Sequence, residues 1–108
     1  MFISFEGIEG SGKSTQIALW KAYFEAQGKQ VLCTKEPGGT PFGLKIREIL
    51  LSPDTQLKDP RTELLLFSAD RLEHIQTVIQ PALAEDKIVL CDRYIDSTYA
   101  YQLAGRKN

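Results

Sequence analysis

Sulfur, excess charge and long apolar runs are all scarce in this sequence. Two cysteines in 108 residues cannot build the disulfide framework of a small secreted domain. Cys33 and Cys91 sit inside the apolar runs VLCT and IVLCD. They read as two buried thiols in a reducing, cytoplasmic setting, the alternative being a disulfide between neighbouring strands. No apolar run is long enough for a membrane span, and the opening MFISFEG lacks the basic and apolar regions of a signal peptide. A net charge of −1 gives no general attraction to nucleic acid or to a membrane surface, so any anion site must be local. Internal repeats and low-complexity segments are absent too. What remains, 43% hydrophobic and 25% charged residues, is ordinary for one modest globular domain.

Strand signals occur at MFISFEG, KQVLCTKE and DKIVLCD. The last two are short, nearly continuous apolar runs of the kind covered on both faces of a parallel sheet. Between the first two lies the helical pattern GKSTQIALWKAYFEAQG, closed by Gly28 at a C′ position. Next come FGLKIREILL, stopped before Pro53, the loop LSPDTQLKDP, and a long helix from about Arg61. Pro81 should break or kink that helix and leave PALAED as a separate terminal turn. Strand alternating with helix predicts an α/β fold with right-handed crossovers, whose ligands bind at the carboxyl ends of the strands.

The first strand runs directly into GIEGSGKST, a G-x-x-x-x-G-K-S/T match from Gly7 to Ser14. Glycines let the backbone turn successive N–H groups inward around phosphate oxygens, and the following helix points its positive end at them. The expected ATP cradle is Gly7, Ile8, Glu9, Gly10, Ser11, Gly12, Lys13, Ser14 and Thr15. Lys13 reaches the β- and γ-phosphates, and Ser14 offers its hydroxyl to Mg²⁺. KIVLCD ends in Asp92, a carboxylate placed to hold Mg²⁺ or its water, although buried strands also end in Asp without a metal. Arg93 follows at once, either as a fixed cation beside the phosphates or as half of a salt bridge. Lys13 and Arg93 are the expected catalytic residues.

LLLFSADRLEH poses a separate question. On a helical wheel Leu65, Ala69, Leu72, Ile75 and Ile79 form one apolar stripe suited to a core. Phe67 falls on the other side with Asp70, Arg71 and His74. One turn apart, Phe67 and Arg71 are placed to stack on a base and hydrogen-bond its edge, unless the ring is simply covered by a neighbouring helix. Glu36, Arg47, Tyr101 and Gln102 are further polar or aromatic residues near the strand ends. A GTPase would need a guanine-reading Asn-Lys-x-Asp segment, which this sequence lacks. Mechanical ATPases are usually much larger. A small-molecule kinase, which must hold a second substrate facing the γ-phosphate, accommodates these extra residues.

With FEGIEGSGKSTQ, KEPGGT, LLLFSADRLEH and DRYIDSTYAYQ in this order, the sequence closely resembles thymidylate kinases, P-loop enzymes that make dTDP from dTMP and ATP. The resemblance runs along the whole chain but covers about the N-terminal half of a family member. It implies a three-layer P-loop NTPase fold with a parallel sheet of strand order 2-3-1-4-5. Of that sheet this sequence supplies 2-3-1, without strands 4 and 5 or the lid, so residues 1–108 are expected to be the N-terminal part of a single nucleotide kinase domain. Phe67 is implied to stack on thymine and Arg71 to bond its carbonyl, with Thr98 and Gln102 also near the base. Tyr101 is implied to pack under the deoxyribose, and Glu9 to reach the sugar 3′-hydroxyl and the metal region. Arg47, Arg93 and Glu36 are implied at the dTMP phosphate, and Ser14 and Asp92 at Mg²⁺. The resemblance further implies a homodimer for the full-length parent, with the Phe67 helix in its interface.

Two features depart from the pattern. One branch of the family has an arginine inside the phosphate loop where this chain has Gly10; members without it carry their basic residues in the lid. YIDSTYAYQLAGRKN starts like a helix and stops, so the sequence reads as cut short and activity of the 108 residues alone is doubtful. The alternatives are a non-catalytic nucleotide-binding fragment or another P-loop nucleoside or nucleotide kinase. His74 is assigned equally to the helix surface, to support of the site, or to substrate contact. Trp20, Tyr94 and Tyr99 read as structural.

Overall fold

A computed structural model of the chain describes residues 1–7 and 12–94. Three parallel strands, β1 (Phe2–Gly7), β2 (Val31–Glu36) and β3 (Ile88–Tyr94), form one sheet in the order β1-β3-β2. Read from the other edge this is the expected 2-3-1 order. Helix α1 (Lys13–Ala26) follows β1. After β2 come α2 (Pro41–Leu51), α3 (Pro60–His74), a π-helical segment (Ile75–Ile79) and α4 (Gln80–Ala84). The punctuation in the sequence accounts for these limits. Gly28, at φ 80°, follows the last turn of α1. Thr40 accepts from the Gly43 N–H at 2.8 Å to cap α2, and Asp59 accepts from the Arg61 N–H at 2.9 Å to cap α3. Pro41 and Pro60 each occupy the first helical position, where a missing N–H costs nothing. Among the described residues, no helix is long and apolar enough to cross a membrane.

The central strand organises the molecule. Ile88, Val89, Leu90 and Cys91 of β3 are all buried. The period-two alternation of a strand sends Ile88 and Leu90 to one core with Phe5 and Phe24. Val89 goes to a second core with Ile79 and Ala82 on the opposite face. The same alternation then directs Asp92 toward the α1 face and Cys91 and Arg93 toward the α3 face. In β2 it directs Thr34 and Glu36 to the α3 face. Here the two cores give way to polar residues at the carboxyl end of the sheet.

Helix α3 does not bury the stripe that its periodicity predicts. Leu65 is 70% and Leu72 58% exposed, while Asp70 and His74 are 1% and 0% exposed. The buried face is polar because α3 lies over the carboxyl halves of the strands, where Thr34 and Glu36 supply partners for polar side chains. Ile79 and Ala82 reach the apolar core only after the π segment. At α-helical spacing Ile79 would sit about 140° round the helix from His74. The π turn, in which the Gln80 N–H bonds to the Ile75 carbonyl five residues back, keeps Ile79 on the His74 side. A wheel drawn at one constant period misses this change of register. Pro81 does not break the helix as expected: the backbone stays helical from α3 through the π segment into α4, which begins at Gln80, with Pro81 inside its first turn.

Cys33 also departs from expectation: Cys91 is buried, but Cys33 is exposed. It lies on the outer strand β2, beside Ser14 and Lys35 in an open concavity that α1 does not cover. Trp20 is half-exposed and packs on Phe24 of its own helix, with ring centroids 5.8 Å apart.

Candidate active site

On the α1 face, Lys13 is the fixed point. Its Nζ lies 2.6 Å from Asp92 Oδ1 and donates to the carbonyls of Gly7 (2.9 Å) and Arg93 (3.1 Å). One ammonium thus joins the ends of β1 and β3 at the start of the helix that follows the glycine loop. Gly12 caps that helix with left-handed backbone, φ 82°. Ser14 and Asp92 line the same concavity, of about 450 Å³, with Thr15 exposed on the first turn alongside. A hydroxyl and a carboxylate are hard oxygen donors, a set that fits Mg²⁺. Ile8, Glu9, Gly10 and Ser11 lie outside the described residues, as do Thr98, Tyr99, Tyr101 and Gln102.

The α3 face is organised around Glu36. Its Oε2 lies 2.7 Å from His74 Nδ1, while its Oε1 accepts from Arg71 Nε at 3.2 Å and Arg93 Nε at 3.1 Å. Burial by itself pushes the Glu36 carboxyl up. The His74 hydrogen bond and the Arg93 and Arg71 charges outweigh burial and hold the group below the usual glutamate value. Because an ionised carboxylate only accepts, Nδ1 of His74 is assigned the proton. Arg93 is held charged in turn: burial opposes the charge, but Glu36 and Glu6 more than offset it. Arg93 Nη1 reaches Glu6 Oε1 at 3.3 Å.

These arginines open onto a cleft of about 540 Å³ whose walls include Phe67, Arg71, Arg93, Glu36 and Tyr94. Phe67 is therefore a wall of a cavity. Arg47, from α2, donates Nη1 to the Pro37 carbonyl at 3.0 Å and lies 5.6 Å over the Tyr94 ring. Among the described dTMP candidates, Glu36, Phe67, Arg71 and Arg93 thus share one cleft, and Arg47 adjoins it through Tyr94.

Gly39 of KEPGGT and Gly43 of α2 make the close packing possible. A Cβ on Gly39 would run into the His74 ring, and one on Gly43 into the Asp70 carboxylate. The Gly38 N–H donates to Asp70 Oδ1 at 3.0 Å, tying that loop to α3. Burial pushes the Asp70 carboxyl up, and nearby Glu36 adds to this. The Gly38 hydrogen bond and the charges of His74 and Arg71 offset only part of the rise.

Sequence reading missed the parts played by Thr34, Asp70, Tyr94 and Glu6, and left His74 open. Strand register holds the missing signal, since Glu6 and Glu36 both pair with Arg93 across β3. Glu36, His74 and Cys91 bring potential ligand atoms within 4.8 Å of one another. Their chemistry does not suit a cation. Two guanidiniums already share the carboxylate, and burial, with the Glu36 charge, pushes the Cys91 thiol up to about 12.

Comparison with known proteins agrees with this geometry. The family model for thymidylate kinase matches residues 5–108. Thymidylate kinase of Geotalea uraniireducens (strain Rf4) is 51% identical over 105 residues, which cover 97% of this chain and 49% of that protein. Its counterpart in Syntrophotalea carbinolica is 57% identical over 101 residues, covering 94% of this chain and 47% of the relative. The chain therefore spans about half the length of the curated relatives it matches. A crystal structure of thymidylate kinase from Ehrlichia chaffeensis superposes with a TM-score of 0.77 at 50% identity, over 94% of this chain and 58% of that one. The chain belongs to the thymidylate kinase family.

Proposed function

We propose that the protein transfers the γ-phosphoryl group of ATP to the 5′-phosphate of dTMP, and that residues 1–108 are the N-terminal part of the single domain that does so. The observation that carries this reading is the division of labour across the end of β3. Asp92 belongs to the face that holds Lys13 and Ser14, and the adjacent Arg93 belongs to the cleft lined by Phe67 and Arg71. A donor phosphate on one side and an acceptor phosphate on the other would meet around the end of one strand. In-line phosphoryl transfer needs that placement.

In this reading an acceptor phosphate oxygen forms the new bond to the γ-phosphorus, the bond to the β,γ-bridging oxygen breaks, and ADP leaves with that electron pair. Lys13 neutralises charge on the phosphoryl group in transit. Arg93 and Arg47 hold the acceptor phosphate, Phe67 stacks on the base and Arg71 donates to its edge. Ser14 and Asp92 would hold Mg²⁺, which would supply further charge neutralisation on the donor phosphates. Glu9, Thr98, Tyr101 and Gln102 complete the proposed sugar and base contacts. Cytoplasmic location and a homodimer belong to the same proposal.

A coupled ADP-release assay on the protein at its natural length, with dTMP, dUMP, dGMP and dAMP as acceptors, tests it. The reading expects dTMP to be strongly preferred over both purine nucleotides. Equal rates with dTMP and dAMP would overturn the assignment.

A further inference from the structure

His74 is the chain's single histidine, and it is wholly buried. None of the proposed chemical steps uses it. Its ring is nevertheless clamped on three sides. Nε2 lies 2.6 Å from Thr34 Oγ1, Nδ1 lies 2.7 Å from Glu36 Oε2, and Gly39 approaches so closely that a Cβ there would strike the ring. A glutamate carboxyl turns freely about its last torsion, which has no strong staggered preference. Once Oε2 is held by His74, the plane of the group is set and Oε1 is presented to Arg71 and Arg93 together. Both arginines are gripped through Nε, so the carboxylate fixes where each guanidinium fork faces the cleft.

We propose that His74 is the positioning residue of the dTMP cleft. By locking the Glu36 carboxylate it aims Arg71 at the base and Arg93 at the phosphate of one nucleotide. This rests on the substrate reading above. It adds that one buried ring, touching no substrate, orients both cationic contacts together. Thr34 is part of the device, because it pins the far side of the ring.

Two variants of similar size separate positioning from mere filling of space. His74→Asn places an amide where Nδ1 lies and can still donate to Glu36; His74→Gln places it where Nε2 lies and keeps only the Thr34 side. Dissociation constants for dTMP and ATP are measured by calorimetry, with Tm alongside, in the protein at its natural length. His74→Asn should stay within about threefold of wild type for dTMP. His74→Gln should weaken dTMP about tenfold, the effect of removing one charge-assisted hydrogen bond. ATP affinity should be unchanged in both. In a Glu36→Gln background the extra loss caused by His74→Gln should disappear, because His74 acts through that carboxylate. Equal dTMP losses in the Asn and Gln variants, parallel losses for ATP, or full additivity with Glu36→Gln would overturn the positioning role. A wild-type protein with no affinity for dTMP would instead overturn the substrate reading and the inference with it.

Discussion

The two faces of one three-stranded sheet are built by different rules. On the α1 face the candidate phosphate-binding residues are nearly contiguous in sequence: Gly12, Lys13 and Ser14 come soon after β1, and only Asp92 comes from elsewhere. On the α3 face Thr34 and Glu36 come from β2, Asp70, Arg71 and His74 from α3, and Arg93 from β3. The first face is apolar nearly to its end, closing on one buried lysine. The second changes from the Val89–Ile79–Ala82 core to a hydrogen-bonded polar interior within a few residues. A phosphate is recognised by local backbone geometry, which a short motif encodes. A base and its monophosphate need groups from several directions, which only a tertiary fold can bring together.

If the faces are functionally distinct, substitutions should separate them. The largest effect is expected at Lys13. Removing the ammonium with Lys13→Ala should lower kcat on the order of 10²-fold or more, because charge there matters most in the transition state. Affinity for dTMP should be nearly unchanged. Single-turnover phosphoryl transfer and dTMP titration on the same preparation check this; equal losses in both would merge the two faces into one site.

A smaller effect separates the two buried carboxylates of the α3 face by sign. Glu36 has a lowered folded value, so the stability it contributes is present above its unfolded value near 4.5 and is lost as pH falls through the folded value. Asp70 has a raised folded value. It therefore costs stability above that value, and the cost is relieved as pH falls toward its unfolded value near 3.8. Asp70 Oδ2 has no hydrogen-bond partner among the described residues. Asp70→Asn retains an oxygen for the Gly38 N–H and removes the buried charge, so it should stabilise the protein at pH 7–8. The gain should fade toward pH 4. Glu36→Gln should instead destabilise at pH 7 and converge on wild type in acid. Chemical denaturation across pH checks both signs.

The contrast between the faces also explains what could be read in the sequence. The three strands and the helix ends at Gly28 and before Pro53 were legible because turn chemistry and apolar runs are local signals, whereas the strand order came only through the family resemblance. The G-x-x-x-x-G-K-S/T match from Gly7 to Ser14 is a local signal of the same kind. The apolar stripe of α3 misled, because Leu65 and Leu72 face outward and Asp70 and His74 inward. Hydrophobic periodicity assumes an apolar partner surface, and the sheet beneath α3 is polar at that level. The π segment then changed the period before Ile79. Residues such as Thr34 and Tyr94 gave no local sign; their roles come from strand register and from the seating of Arg47 over the Tyr94 ring.

The central claim, that the α3-face cleft takes the acceptor nucleotide, is tested most directly by dTMP and ATP affinities for wild type, Phe67→Ala, Arg71→Ala and the double variant. Phe67→Ala should cost about 1–3 kcal/mol of dTMP binding, the usual range for base–aromatic stacking. Arg71→Ala should cost about 1.5–3 kcal/mol through removal of a charged donor. Both touch one ring, so the double variant should lose less than the sum, with ATP affinity unchanged throughout. A lower Tm with unchanged dTMP affinity, or equal weakening of dTMP and ATP, would contradict the account.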